Sequence, residues 1–204
     1  MLELHEISKN FGRLPVLKEI SLSLKAQSLT CLGGANGSGK STLLKIMAGL
    51  IPPSQGHISY ASDFKTLAYV GHDTFLYPNL TALENLNFWQ RCYHLNLTLA
   101  DLEDLLEEFG LLAFADQYPS VFSRGMAQKL NLARVMLLNP SLCLLDEPQT
   151  GLDVASQDFL QQKLLRLKEQ GSCIILISHD LDQTLNWVDQ GYYLEQGSLK
   201  NIKR

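Results

Sequence analysis

Apolar and polar residues alternate at the start of the chain, in "LELHEI" and again in "ISLSLKAQSLTCL", with the polar stretch "KNFGRLP" between them. A period of two places one face of each segment inward, so residues 1 to 31 predict a small set of strands joined by turns. The period then changes. Leu43, Leu44, Met47 and Leu50 recur at helical spacing, and "PPSQGH" reads as a loop before the short buried strand "LAYVG". From 81 to 115, leucines and acidic residues fall at helical spacing with little β-branching, which predicts two or three helices. "PSLCLLDEP" is a short apolar strand stopped by Pro148, and "DVASQDFLQQKLLRLKEQG" is a helix closed by Gly171 just past its end. "SCIILISHD" is a second fully apolar strand, and "GYYLEQGSLK" has the form of a hairpin. Strands that alternate with helices and are apolar throughout predict an α/β fold, a mostly parallel sheet covered on both faces. The stretch from about 75 to 140 offers no strand and is expected to form a helical lobe.

Composition narrows the class. At 204 residues the chain is long enough for one domain with a sizeable core, with room for an inserted lobe. Apolar residues make up 46% and charged residues 19%, as in soluble globular proteins, and the net charge of −4 gives no reason to expect nucleic acid or anionic lipid as a partner. No apolar run is long enough to cross a bilayer, and "MLELHEISKN" lacks the basic-then-apolar order of a signal peptide. Cys31, Cys92, Cys143 and Cys173 form no CxxC pair, and three of them sit in strand-like runs, so buried free thiols are expected.

Candidate chemistry begins at "LGGANGSGKSTLLKIMAGL", residues 32 to 50. Gly34 to Ser41 fit G-x-x-x-x-G-K-[ST], with an apolar run before and a helical pattern after, the context that spacing requires. Gly37 and Gly39 let the backbone turn so that successive N–H groups face one anion. The helix that follows adds its free N–H groups and dipole. Lys40 brings a positive charge for outer phosphates, and the Ser41 hydroxyl is an oxygen ligand suited to Mg²⁺. Downstream, "LCLLDEP" ends an apolar strand on two carboxylates. Asp146 is placed to hold Mg²⁺ through water, and Glu147 to polarise an attacking water. His179, just past the apolar run of "ILISHD", is placed to contact the γ-phosphate and that water.

With these residues in hand, the chain resembles the nucleotide-binding subunit of ABC transporters over nearly all its length. The resemblance implies one P-loop domain spanning 1–204, with a RecA-like core at about 1–74 and 141–204, N-terminal antiparallel strands, and a helical lobe at about 75–140. It implies ATP and Mg²⁺ as cofactors. Gly34, Ala35, Asn36, Gly37, Ser38, Gly39, Lys40, Ser41 and Thr42 become the nucleotide loop, and Phe11 the aromatic that stacks on adenine. Ser123 and Gly125 in "FSRGM" correspond to the signature segment that contacts nucleotide held by another copy, and Asp153 in "TGLD" belongs to the inter-subunit loop. Two positions depart from the family pattern. His72 in "YVGHD" stands where glutamine is usual, as a candidate Mg²⁺ contact or a subunit-coupling residue, and Arg124 and Met126 replace a glycine and a glutamine of the signature.

One set of motifs implies a working head-to-tail homodimer, attached to separate multispanning membrane subunits at the cytoplasmic face of the inner membrane. A soluble ABC-type ATPase acting on ribosomes or DNA is the alternative from another class, disfavoured by the single short cassette and mild acidity. A P-loop kinase would not need "FSRGM", and a guanine-reading Asn-Lys-x-Asp element is missing. The run "YVGHDTFLYPNLTALENLNFWQRCYHL" is further similar to the ATP-binding subunit of the bacterial heme exporter of cytochrome c maturation, the alternative being the ATPase subunit of a generic drug- or lipid-type exporter. His5, His57, His72, His94 and His179 show no axial-ligand context, so heme binding by this chain itself is not expected.

Overall fold

The computed structural model describes residues 2–62, 64–71 and 75–203. Strands β1 (Leu2–Phe11) and β2 (Leu14–Leu24) form an antiparallel hairpin. A second sheet begins with β3 (Ser28–Gly34), which runs into helix α1 (Lys40–Met47). The chain then returns as β4 (Gln55–Tyr60) to pair with the free edge of β1, with Leu4 opposite Ile58 and His5 opposite His57. This corrects the reading of "PPSQGH" as loop only. Its last residues are strand because β1 offers an open edge to pair with, a cause no local pattern displays.

The larger sheet is completed by β5 (Leu67–Val70), β6 (Leu142–Asp146), β7 (Cys173–Ile177), β8 (Gln190–Glu195) and β9 (Ser198–Lys203). Its order is β5-β6-β7-β3-β8-β9, parallel except for the final hairpin strand. The apolar character of β6 and β7 now has its reason, since successive residues feed two different cores. Leu142, Leu144, Cys173, Ile175 and Ile177 join one apolar cluster with Leu43, Leu44 and Met47 of α1 and with Leu4, Ile7 and Leu17 of the antiparallel sheet. Cys143, Leu145, Ile174 and Leu176 join the other, which the remaining helices supply. Helix α1 is thus held between the two sheets.

Those remaining helices are α2 (Ala82–Cys92), α3 (Leu99–Glu108), α4 (Arg124–Leu138), α5 (Val154–Glu169) and the short α6 (Leu181–Leu185), which the sequence pattern did not signal. Starts are marked by side-chain caps. Thr81 and Thr98 form capping boxes with Glu84 and Asp101, and Gly171 follows the end of α5 with φ +112, as its position in the sequence indicates. Between 82 and 138 there is no strand among the described residues. Ala82, Leu86, Leu102, Leu106 and Leu130 pack in the same cluster as Leu29, Cys31 and Ile174, so apolar contact runs unbroken from the helical segment into the sheet.

Cys31, Cys143 and Cys173 are buried and all four cysteines are free. Burial pushes the Cys31 and Cys143 thiols up to about 12, which keeps them protonated. Among the described residues, no helix is long and apolar enough to cross a membrane.

Candidate active site

The carboxyl end of β3 leads directly into the loop at Gly34–Ser41. Gly34 has φ +147, and a Cβ there would lie 2.6 Å from the Leu194 carbonyl oxygen and 2.8 Å from Ser38 Oγ. Gly39 caps α1 in a left-handed conformation, φ +106. Only glycine meets both demands without strain. The loop closes on itself through Ser38 N–H donating to the Ala35 carbonyl at 3.1 Å. Lys40, only 6% exposed, donates Nζ–H to the carbonyls of Gly34 at 2.7 Å and Ala35 at 3.0 Å. Its ammonium is therefore fixed at the loop, and the first N–H groups of α1 open beside it.

Beside this loop lies a cavity of about 500 Å³, lined by Asn36, Gly37, Gly39, Lys40, Ser41, Thr42, Val16, Glu147 and His179. Strand order explains the convergence. β6, β7 and β3 are consecutive neighbours and parallel, so the residues after each strand emerge side by side at one edge. Asp146 ends β6 and is buried opposite Ile177 of β7. Glu147 follows with φ +55, a left-handed conformation unusual for a side chain of this kind, which costs about 1–2 kcal/mol. That turn places Glu147 Oε1 2.7 Å from His179 Nε2, with Glu147 14% exposed and His179 56% exposed. A carboxylate fixed by an imidazole, facing a cradle of N–H groups and an ammonium, is suited to water-mediated attack on a phosphate.

The donors available to a metal are oxygens. Ser41 lies in the cavity wall, and Asp146, which does not line it, ends β6, one strand removed from β3 and directly before Glu147 of that wall. Among the described residues, no group of three or more His, Cys, Asp or Glu could hold a metal unaided. Such a set fits Mg²⁺, which retains waters and takes phosphate oxygens as further ligands.

Other residues singled out by the sequence stand elsewhere. Phe11 lies at the β1–β2 turn, 52% exposed beneath the Lys9 ammonium, and is not in the cavity wall. Val16 is in that wall, although nothing in its sequence neighbourhood points there. Only its approach to Gly39 reveals it. Ser123 caps α4 by accepting from Met126 N–H at 3.2 Å, and neither it nor Gly125 lines the cavity. Asp153 caps α5, accepting from Ser156 N–H at 2.8 Å. The Ser156 hydrogen bonds hold its carboxyl below the usual carboxylate range. His72 lies outside the described residues.

The profile of the ABC transporter family matches residues 17–150, which include the glycine loop and the acidic pair. The chain belongs to this family. It is 31% identical over 216 residues to the ABC transporter ATP-binding protein NatA of Bacillus subtilis (strain 168), covering 98% of this chain and 87% of that protein. It is 32% identical to the linearmycin resistance ATP-binding protein LnrL of the same organism, covering 98% and 68%. The sulfate/thiosulfate import ATP-binding protein CysA of Anthoceros angustus is 33% identical, and there the match spans 97% of this chain but 56% of the relative. Among solved structures, an ATP-binding subunit of an ABC transporter superposes with a TM-score of 0.88 at 29% identity, over 99% of this chain and 90% of that one. The ATP-binding cassette MJ0796, in a dimeric post-hydrolysis state bound to ADP and Pi, has a TM-score of 0.88 at 25% identity over both full chains. The α/β architecture expected of an ABC cassette, with its antiparallel N-terminal strands and parallel sheet, is therefore the one present. The cavity between the glycine loop and Glu147 is the candidate ATP site of that cassette.

Proposed function

We propose that this ABC cassette is the ATP-hydrolysing subunit of a membrane transporter, working as a pair of identical copies, and that it drives heme export or release for c-type cytochrome maturation. The observation that carries the ATPase reading is the 2.7 Å Glu147–His179 contact in one cavity with Lys40 and Ser41. The β- and γ-phosphates of ATP sit on the loop's N–H groups and on Lys40 Nζ, which exchanges the Gly34 and Ala35 carbonyls for phosphate oxygens. Ser41 and Asp146 would hold Mg²⁺, which supplies charge neutralisation on the β- and γ-phosphates when bound. Glu147 orients a water and accepts its proton as that oxygen attacks the γ-phosphorus, releasing ADP and phosphate. His179 fixes the Glu147 carboxylate and reaches the γ-phosphate.

Further roles rest on the family resemblance. Phe11 stacks on adenine, Thr42 binds nucleotide with the rest of the loop, and His72 contacts Mg²⁺ or couples the subunits. Ser123 and Gly125 meet the γ-phosphate held by the second copy, with Asp153 in the loop between copies. Residues 75–140 act as the lobe that meets multispanning membrane subunits, which would hold the chain peripherally at the cytoplasmic face of the inner membrane. The heme assignment is supported by the run from Tyr69 to Leu95. The similarity to the linearmycin resistance protein LnrL favours a second reading, an exporter of another cargo.

The ATPase reading is tested with Glu147→Gln. Purified wild type should turn over MgATP slowly, whereas the variant should bind ATP, stop turning over and elute as a nucleotide-bound dimer. Full activity in the variant would remove Glu147 from its role. For the pathway, deletion of the gene should abolish holo-cytochrome c and leave b-type cytochromes intact. Normal c-type cytochromes in that strain would return the chain to the second reading.

A further inference from the structure

Glu147 occupies a sparsely populated backbone conformation, and such a residue keeps its place only if its surroundings hold it there. His179 holds the side chain. The turn after it, from Pro148 to Gly151, is held by another element, the start of α4. Gln128, 8% exposed, donates Nε2–H to the Pro148 carbonyl at 3.0 Å. One helical turn earlier, Gly125 lies so near Gly151 that a Cβ would come within 2.9 Å of the Gly151 carbonyl oxygen. The stem of Arg124 covers Gly151 itself, with Cγ and Cδ 3.3 Å from the place a Cβ would occupy. Gly151 has φ +83, and the turn is closed by Thr150 N–H donating to the Glu147 carbonyl at 3.1 Å. Pro148 has no N–H, so its carbonyl is the one main-chain hydrogen-bonding group that the residue next to Glu147 offers.

We propose that Gln128 is a positioning residue for Glu147: by fixing the Pro148 carbonyl it holds the turn that aims the carboxylate into the ATP cavity. This rests on the ATPase reading of Glu147. Removing the amide donor lets the turn relax, and a displacement of about 1 Å at a reacting group can cost as much as a hundred-fold in rate. Lys40 and the glycine loop lie on a different element and are untouched, so the loss belongs to kcat. A purely structural role for Gln128, satisfying a buried carbonyl, would lower stability without that selectivity.

The test uses the full chain and MgATP, with wild-type turnover as the control for the ATPase reading. A wild type that does not hydrolyse ATP overturns that reading, and this inference with it. Gln128→Met keeps nearly the same volume and removes the donor. It should lower kcat about ten- to a hundred-fold and leave the KM and Kd for ATP within about two-fold. In the Glu147→Gln background, the same substitution should not lower the residual single-turnover rate further, because the residue it positions is already gone. Gly151→Ala strains the turn from its other end and should give the same kcat-only loss, which covers the case of Gln128→Met failing to fold. A kcat within two-fold of wild type, an equal loss in ATP affinity, or a further fall in the Glu147→Gln background would each overturn the proposal.

Discussion

The glycine loop at Gly34–Ser41 and the helical segment from Ala82 to Leu138 are built by opposite means. In the loop, backbone conformation decides the structure. Gly34 and Gly39 adopt positive φ, and the carbonyls of Gly34 and Ala35 accept from Lys40 Nζ. Those hydrogen bonds span no more than six residues. In the helical segment, side chains reaching across the fold decide. Arg134, 4% exposed, donates to the Tyr69 carbonyl at 3.1 Å and to Asn131 Oδ1 at 2.9 Å. Its guanidinium lies 4.9 Å from the Trp89 ring, which packs among Tyr77, Phe88 and Tyr93. One buried cation thus ties β5, α4 and α2 together. Asn85 does the same locally, accepting from Tyr77 N–H and donating to the Tyr77, Leu80 and Thr81 carbonyls. The contrast teaches that a short motif suffices where the backbone carries the geometry, and fails where one side chain must find partners sixty residues away.

Breaking each region should therefore give a different phenotype. The largest effect is expected from Arg134→Ala, which strips the Tyr69 carbonyl of its buried donor and removes the contact with Trp89. It should lower unfolding free energy by about 3 kcal/mol in urea titrations. Arg134→Lys should recover only part of this, because an ammonium cannot span the carbonyl, the amide and the ring together. Lys40→Ala sits on the other side of the comparison. It should weaken ATP binding by about 2 kcal/mol, roughly thirty-fold, by calorimetry, while costing about 1 kcal/mol of stability without nucleotide, less than Arg134→Ala. If Lys40→Ala unfolded the chain and Arg134→Ala abolished ATP binding without loss of stability, the division between the two regions would be wrong.

Smaller changes sharpen the comparison. Thr81→Ala removes the cap of α2, whose box with Glu84 closes at 3.2 Å and 2.8 Å, and should cost about 1 kcal/mol in thermal unfolding with normal ATP affinity. The smallest effect is expected at the exposed Asp153 cap, whose carboxyl lies below its usual range through the Ser156 hydrogen bonds. A depressed folded value contributes stability above the unfolded value and loses it as pH falls through the folded one. Asp153→Asn keeps a cap without the charge. Its deficit in thermal midpoint should be present near neutrality and close in the acid range, below the usual carboxylate titration. A deficit that stayed constant into acid would assign it to packing instead.

Much of the candidate site was legible in the sequence because its pieces are local. The spacing from Gly34 to Ser41, Asp146 and Glu147 at a strand end, and His179 at another all stand where their flanking patterns placed them. The end of α5 was legible for the same reason, since Gly171 acts on the helix it follows. Val16, Gln128 and β4 were not legible. Each owes its role to a contact with a residue distant in the chain, Gly39 for Val16, Pro148 for Gln128 and β1 for β4.

The sequence by itself determined the two periodicities, and with them which residues face a core. It also determined a loop whose glycines leave few alternatives, and therefore the chemistry that loop offers. Only the tertiary structure decided that β6, β7 and β3 stand side by side, so that Glu147 and His179 meet at 2.7 Å opposite Lys40. The reason is physical. Conformational preferences act over a few residues and are written in residue type, whereas strand order and the juxtaposition of strand ends follow from burying both faces of a parallel sheet at once.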